Sequence, residues 1–430
     1  MHLNTKRNKL ALGVFILILI YVIVKTSKIG NDINVYLFAS KQLFDGENIY
    51  QNNPYNNYLY SPFFALILRP FSIFEYEIGR VFWGITNLIL TVRLWKITCV
   101  LVQKSLNLSS QTLIYWSLGV CFISVGLFNH NLTLGQITIV LLWIIFEGLY
   151  QILHKKKLIL GSALLAAGIA IKIIPLIALF YLFFKGKFKA LIFSGLFVVF
   201  CLFLPSIFIG HDYNQEMLLK WAETINPSNS KFVLENNNGT QSLNGLLPAY
   251  LYEFEKTDES PIGIDRQVAS IPYNTLVILL HAVRIVILFS SLLLIFYRYK
   301  KREHPSLFLL WEISYLALVS ALIFPHQQKY AMFFYLPSCA YILLFMLLAF
   351  RLKWKVDLKY KLIALLASIL MFIASLMGRD IIGTFLVETF EYYHGFGLIN
   401  LIFLGLMLAV KPDFLIELNE ELGKKLLQRP

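Results

Sequence analysis

Eleven apolar stretches, most of them about 18 residues or longer, divide the 430-residue chain, and a water-soluble fold cannot enclose so much continuous apolar surface. They fall at about 8–27, 78–102, 110–128, 136–153, 158–184, 189–209, 273–297, 306–324, 330–350, 361–378 and 395–410. Composition agrees: 58% of residues are hydrophobic and only 15% charged, against about a quarter charged in a soluble domain. A water-soluble enzyme is excluded. The expected class is an all-α polytopic membrane protein, one integral membrane domain over 1–430.

The net charge of +13 does not point to nucleic acid, because the basic residues sit in short clusters between apolar stretches rather than on one face. The clusters are Lys6, Arg7 and Lys9; Arg93, Lys96 and Lys104; Lys155, Lys156 and Lys157; Lys185, Lys187 and Lys189; Arg298, Lys300, Lys301 and Arg302; Arg351, Lys353, Lys355, Lys359 and Lys361; then Lys411, Lys424, Lys425 and Arg429. Together they hold 25 of the 38 Lys and Arg residues, and the positive-inside rule assigns them to the cytoplasm. The stretch Leu10 to Val24 reads as a retained helix, since no small-residue cleavage site follows it. Cys99, Cys121, Cys201 and Cys339 all lie inside apolar stretches, which gives no support to a disulfide framework or a zinc site.

Residues 158–184 decide the count of crossings. The clusters on either side both belong in the cytoplasm, yet 27 residues are too many for one ordinary span and too few for two. Lys172 and Pro175 near the middle suit a short hairpin with Ile-Lys-Ile-Ile-Pro at its tip, tolerated where irregular backbone lines a polar cavity. Twelve crossings follow, with both termini cytoplasmic. The outward segments are then 29–77, Asn129 to Gln136, the long loop 211–272, Pro325 to Lys329, and Arg379 to Gly395.

The first outward segment predicts an amphipathic helix that opens just after Asp32 and ends before Gly46, because Ile33, Tyr36, Leu37, Ser40, Leu43 and Phe44 recur at helical spacing. A carboxylate at its start can serve as a general base or as a plain helix cap. Downstream, Tyr55, Tyr58 and Tyr60 suit either a sugar-stacking platform or an interfacial aromatic belt. Lys172, the pair His281 and Arg284, and His326 with Lys329 are cations at or near membrane depth, where a charge needs a cavity or a partner. Their excess over comparably placed acids points to an anionic ligand such as a lipid-linked phosphate, with snorkelling or helix–helix ion pairing as the structural alternatives. Asn238-Gly-Thr240 matches a glycosylation acceptor triplet, and the amides around it suit hydroxyl-rich ligands or turns equally.

Six motifs in order resemble glycosyltransferase family 87: Asp32 with Tyr36 and Gly46-Glu47-Asn48-Ile49-Tyr50; Tyr60-Ser61-Pro62; Leu134-Gly135-Gln136; Lys172-Ile-Ile-Pro175; Asn238 through Gly245; and Pro325-His326. They span roughly residues 28–340. The resemblance implies a GT-C-like bundle of about 12 transmembrane helices and a transferase that takes a hexose, mostly mannose, from a polyprenyl-phosphate donor. The acceptor would be a lipid or glycan at the outer face of the cytoplasmic membrane. It implies a catalytic acid in the first outward loop, matched here by Asp32, and a polar active site facing the periplasm or exterior. Donor-phosphate contacts fall to Lys172, Arg284, His326 and Lys329, and sugar or acceptor contacts to Tyr36, Tyr60, Gln136, Asn238 and Gln241. Pro325 to Lys329 lacks the tryptophan and paired histidines of many relatives. No metal or other cofactor is expected, since cations can stabilise the departing phosphate. The competing classes are a transporter or flippase of an anionic lipid or solute, against which the lack of internal repeats counts, and a polysaccharide polymerase or ligase.

Overall fold

The computed structural model describes residues 6–28, 30–225, 234–254, 260–297 and 305–427. The basic cluster Arg298 to Arg302, the side chains of Lys6, Arg7 and Lys9, and those of Lys425 and Arg429 lie outside the described residues. So do parts of the long loop, at 226–233 and 255–259.

The first half of the chain forms α1 (Lys6–Lys28), α2 (Asp32–Asp45), α3 (Pro62–Ile67), α4 (Tyr76–Gln103), α5 (Ser110–Leu134), α6 (Thr138–Leu149), α7 (Leu158–Ile171), α8 (Leu176–Phe184), α9 (Phe188–Phe203) and α10 (His211–Thr224). The second half forms α11 (Leu243–Leu251), α12 (Tyr273–Tyr297), α13 (Pro305–Ile323), α14 (Leu336–Arg351), α15 (Leu358–Leu376), α16 (Thr384–Tyr392), α17 (Gly395–Ala409) and α18 (Pro412–Leu427). The described residues contain no strand, only an isolated antiparallel bridge between Thr240 and Gln328.

Among the described residues, seven helices are long and apolar enough to cross a membrane, or eight if the bent pair α16 and α17 counts as one span. Twelve crossings are not reached by helix length alone, because the middle of the chain is cut into shorter pieces. At 1.5 Å per residue, α7 and α8 reach only about 21 and 14 Å. The break falls where the lysine and proline predict it: Lys172 is extended at φ −151°, ψ 138°, and Pro175 precedes the new helix. Two expected loops are largely helix. α5 runs through Asn129 to Leu134, since nothing there disfavours a helix before Gly135. The polar segment after Arg379 folds into α16, which meets α17 at 61° across His394.

The chain divides into two compact units. Unit 1 comprises Met1–Lys96, Asn129–Leu179 and Phe188–Asn226. Its α6 and α7 approach closely because both carry glycine at the contact: a Cβ on Gly161 would lie 2.6 Å from the Gly148 carbonyl oxygen. Unit 2 comprises Ile97–Phe128, Phe180–Lys187 and Pro227–Pro430. At its centre α13 is buried from Ser306 to Leu322. The Trp311 indole N–H donates to the Met407 carbonyl at 2.8 Å, and Trp116 donates to Ala340 at 2.7 Å.

Two residues read as topology signals turn out to be ion-paired within the protein. In unit 2, Lys185 Nζ lies 2.9 Å from Glu312 Oε1, and Tyr181 donates to Oε2 of the same carboxylate at 2.6 Å. In unit 1, Arg93 forks onto Glu147 with bonds of 2.7 and 2.8 Å. A buried acid needs a cation more than a cytoplasmic cluster needs one more charge.

Candidate active site

In unit 1 the residues around Asp32 come from four separate segments. α2 ends before Gly46, as the apolar spacing predicts, and begins at Asp32 itself, one residue earlier than expected, but burial extends beyond one face. Asn34, Ser40 and Gln42 are enclosed as well, each with a polar partner. Asn34 donates to the Gly30 carbonyl at 2.5 Å, Ser40 and Ser72 share a hydroxyl bond of 2.9 Å, and Gln42 donates to Glu47 and to the Gln51 carbonyl. The helix is a packed element rather than one resting on a lipid surface.

The cap position belongs to Asn31, and no side chain caps the helix. Asp32, one residue further in, has its carboxylate turned elsewhere: Oδ2 accepts a hydrogen bond from Gln136 Nε2. Gln136 is presented by the abrupt end of α5. Gly135 sits in the left-handed region at φ 70°, its N–H bonded to Asn131 at 2.9 Å and its carbonyl to the Trp83 indole at 3.0 Å. A Cβ there would come within 2.5 Å of Ile33 Cγ2, so only glycine meets both demands.

Lys172 arrives from the break between α7 and α8. Its ammonium stands 5.5 Å from the centre of the Tyr60 ring and near enough to Asp32 for their charges to act on one another. The Ser61 hydroxyl donates to the Ala170 carbonyl, which ties the Tyr60-Ser61-Pro62 segment to the end of α7. Tyr36 and Tyr60 share a hydroxyl contact of 3.0 Å and pack edge to face, with Phe64 against both. Tyr58 and Tyr60 are therefore buried core residues, and of the three tyrosines in the string Tyr55 alone is exposed.

Burial pushes the Asp32 carboxyl above its ordinary value, against the pull of the Lys172 charge and the Gln136 hydrogen bond. The same burial pushes the Tyr60 phenol well up, opposed by its bond to Tyr36 and reinforced by the Asp32 charge, so Tyr60 stays a neutral hydroxyl. The result is a half-buried acid held beside a cation and two phenols, with a raised affinity for a proton.

The other expected site residues belong to unit 2 and meet at a junction of five segments, those of Glu235, Arg266, Arg284, His326 and Glu391. Glu235, which no sequence motif singled out, accepts the backbone N–H of His326 at 2.8 Å and lies 3.2 Å from its ring Nδ1. Lys329 pairs with Glu391 at 3.6 Å, and Arg284 donates to the Asn244 side chain. Gln241 donates to the Asn238 carbonyl at 2.8 Å and accepts from the Gly397 N–H at 3.2 Å. The Asn238 side chain accepts from Arg266 at 2.6 Å, and Thr240 is fully buried. The glycosylation triplet is thus folded into the protein. His394, also absent from the sequence reading, holds the Thr240 carbonyl at 2.6 Å. His281 is exposed. Among the described residues no group of three or more His, Cys, Asp or Glu forms a metal-binding cluster.

A many-helix membrane protein with an acid, an amide and a lysine gathered from distant segments is the class defined by this fold and site. A family model described as glycosyltransferase family 87 matches residues 58–325, more than half of the chain, and the chain belongs to that family. It is a membrane glycosyltransferase, which acts on a sugar donor and an acceptor. The match includes Tyr60, Gln136, Lys172, Asn238, Gln241 and Arg284 and begins after Asp32. No curated protein and no solved structure matches the chain.

Proposed function

We propose that the protein transfers a hexose, mannose foremost, from a polyprenyl-phosphate donor to a lipid or glycan acceptor at the outer face of the cytoplasmic membrane, with Asp32 as general base. The observation that carries this reading is the direction of the Asp32 carboxylate, which leaves its helix uncapped and faces Gln136 and Lys172 instead. Burial raises its proton affinity toward the value a base needs near neutral pH.

In this mechanism Gln136 holds one carboxylate oxygen and leaves the other to take the proton of the acceptor hydroxyl. That hydroxyl attacks the anomeric carbon as the bond to the phosphate oxygen breaks, so one displacement inverts the configuration. The leaving group departs as a lipid phosphate monoester, and Lys172 stabilises its developing charge. In this reading a sugar hydroxyl would replace one partner of the bond between the Tyr36 and Tyr60 hydroxyls, while burial keeps the Tyr60 proton in place. Of the four cations expected at the phosphate, Lys172 is the one in the same unit as Asp32.

The products test the reading. Membranes supplied with a polyprenyl-phosphate hexose and acceptor should release polyprenyl monophosphate and form a glycoside of inverted configuration. With a lipid-pyrophosphate glycan supplied instead, release of polyprenyl pyrophosphate would mark polymerisation, and movement of an anionic lipid with no sugar transfer would mark transport.

A further inference from the structure

The outward end of α4 carries more than a membrane span needs. Its first three turns set Gly79, Arg80, Trp83 and Gly84 against other segments of unit 1. A Cβ on Gly79 would lie 2.7 Å from the Phe71 carbonyl oxygen and 2.9 Å from Leu37 Cδ1 of α2, and one on Gly84 would lie 2.6 Å from Thr26 Cγ2 of α1. Only residues without a side chain allow both approaches, so the two glycines bring α4 down onto α1 and α2 together. Arg80 clamps the corner between those helices: Nη2 donates to the Ser27 carbonyl at 2.6 Å, and its Cδ fills the place a Cβ on Gly30 would take.

Between these contacts Trp83, only 5% exposed, reaches the end of α5, where its indole N–H donates to the Gly135 carbonyl at 3.0 Å. That carbonyl belongs to the planar peptide group joining Gly135 to Gln136. The opposite edge of the same group, the Gln136 N–H, donates to the Asn131 carbonyl at 3.1 Å. Held at both edges, the peptide cannot turn, and this fixes the direction in which the Gln136 side chain leaves the backbone toward Asp32 Oδ2. The indole is fixed in its turn by the rings of Tyr36, Phe64 and Phe71, which pack edge to face at 6.5, 6.3 and 6.2 Å. A buried indole N–H needs an acceptor, but any free carbonyl would meet that need. The one it takes is the carbonyl that aims Gln136.

We infer that Trp83 is a positioning residue for the reaction, holding the Gly135 carbonyl so that the Gln136 amide stays on the Asp32 carboxylate. The inference rests on Asp32 acting as the base, as proposed above. Three groups face that carboxylate: Gln136 from the end of α5, Lys172 from the break after α7, and Tyr60 from the segment ahead of α3. Without the Gln136 bond, burial is opposed by the Lys172 charge alone, and Asp32 should keep its proton to higher pH.

The test reads that proton directly, by infrared titration of the full-length protein in lipid nanodiscs, with the Asp32 band assigned as the one absent from Asp32→Asn. Trp83→Phe keeps a ring against Tyr36 and Phe64 and removes the N–H. It should raise the midpoint by about one pH unit, the scale of a lost hydrogen bond to a charged group. Gln136→Leu should do the same, and the double variant should go no further, because both changes remove one contact. A purely structural Trp83 would lower the melting temperature and leave the midpoint in place, and that result overturns the inference. So does a double variant displaced by about two units, the sum of independent effects. Should Trp83→Phe not accumulate in folded form, benzothienylalanine placed at position 83 keeps the bicyclic shape without the N–H and should give the same displacement; an unmoved midpoint there overturns the inference equally. Sugar transfer retained by Asp32→Asn removes the base reading itself, a failure distinct from any change in the midpoints.

Discussion

Asp32 and Glu235 are both carboxylates at least half-buried, yet the two units treat them in opposite ways. Around Glu235 the protein supplies a backbone N–H, a threonine hydroxyl and an imidazole, and these outweigh the cost of burial. Around Asp32 it supplies one amide and a nearby lysine, and burial outweighs them. The first acid is satisfied as an anion and fastens structure. The second is held short of satisfaction, the condition expected of a group whose task is to take a proton.

Several changes should break or sharpen that contrast. The largest effect on the fold is expected from Glu235→Ala, which strips the His326 N–H and the Thr240 hydroxyl of their acceptor; thermal melting in nanodiscs should show a loss of about 2–4 kcal/mol. Lys172→Met should leave melting nearly unchanged while lowering the transfer rate about a hundredfold, the scale of one lost contact to developing charge. Gly135→Ala forces a Cβ against Ile33 in left-handed backbone and should cost about 2 kcal/mol of stability while displacing Gln136; both melting and transfer rate should fall, which separates it from Lys172→Met.

The mildest probe is acid titration. Asp32 must be ionised to act, and its value is raised, so transfer should fall with decreasing pH earlier than an ordinary carboxylate would dictate. Glu235 has a lowered value, so its contribution to stability is present above the ordinary carboxylate range and is lost only as pH falls through the lower folded value. Activity should therefore fail before the fold does.

The sequence made the Asp32 surroundings legible because each member announces itself locally: an acid where an amphipathic helix opens, Leu-Gly-Gln where a long helix stops, a lysine and proline inside an apolar stretch. What gathers them is tertiary. Helix existence was readable from apolar length, as in α12, whereas the ends of α5 and α16 were not, since polar residues such as Asn129 and Glu388 continue a helix as readily as they leave one. Glu235, Glu391 and His394 escaped notice because their roles depend on partners far along the chain. Glu235 meets His326 across 91 residues, and no periodicity records such a pairing. The tyrosine string misled for a related reason: alternation of polar and aromatic residues does not say which rings are enclosed, and Tyr58 and Tyr60 are.

Asp32 is a carboxylate kept in an unfavourable charged state. Because the folded value of Asp32 is raised, its ionised form at neutral pH detracts from stability, and neutralising it should not harm the fold. Asp32→Asn, assayed for sugar transfer and for thermal melting in the same preparation, should lose about a thousandfold in rate, within the range of general-base catalysis, and melt at or above the wild-type temperature. A variant that keeps transferring sugar at close to the wild-type rate, or that loses activity only because it melts earlier, would contradict the account.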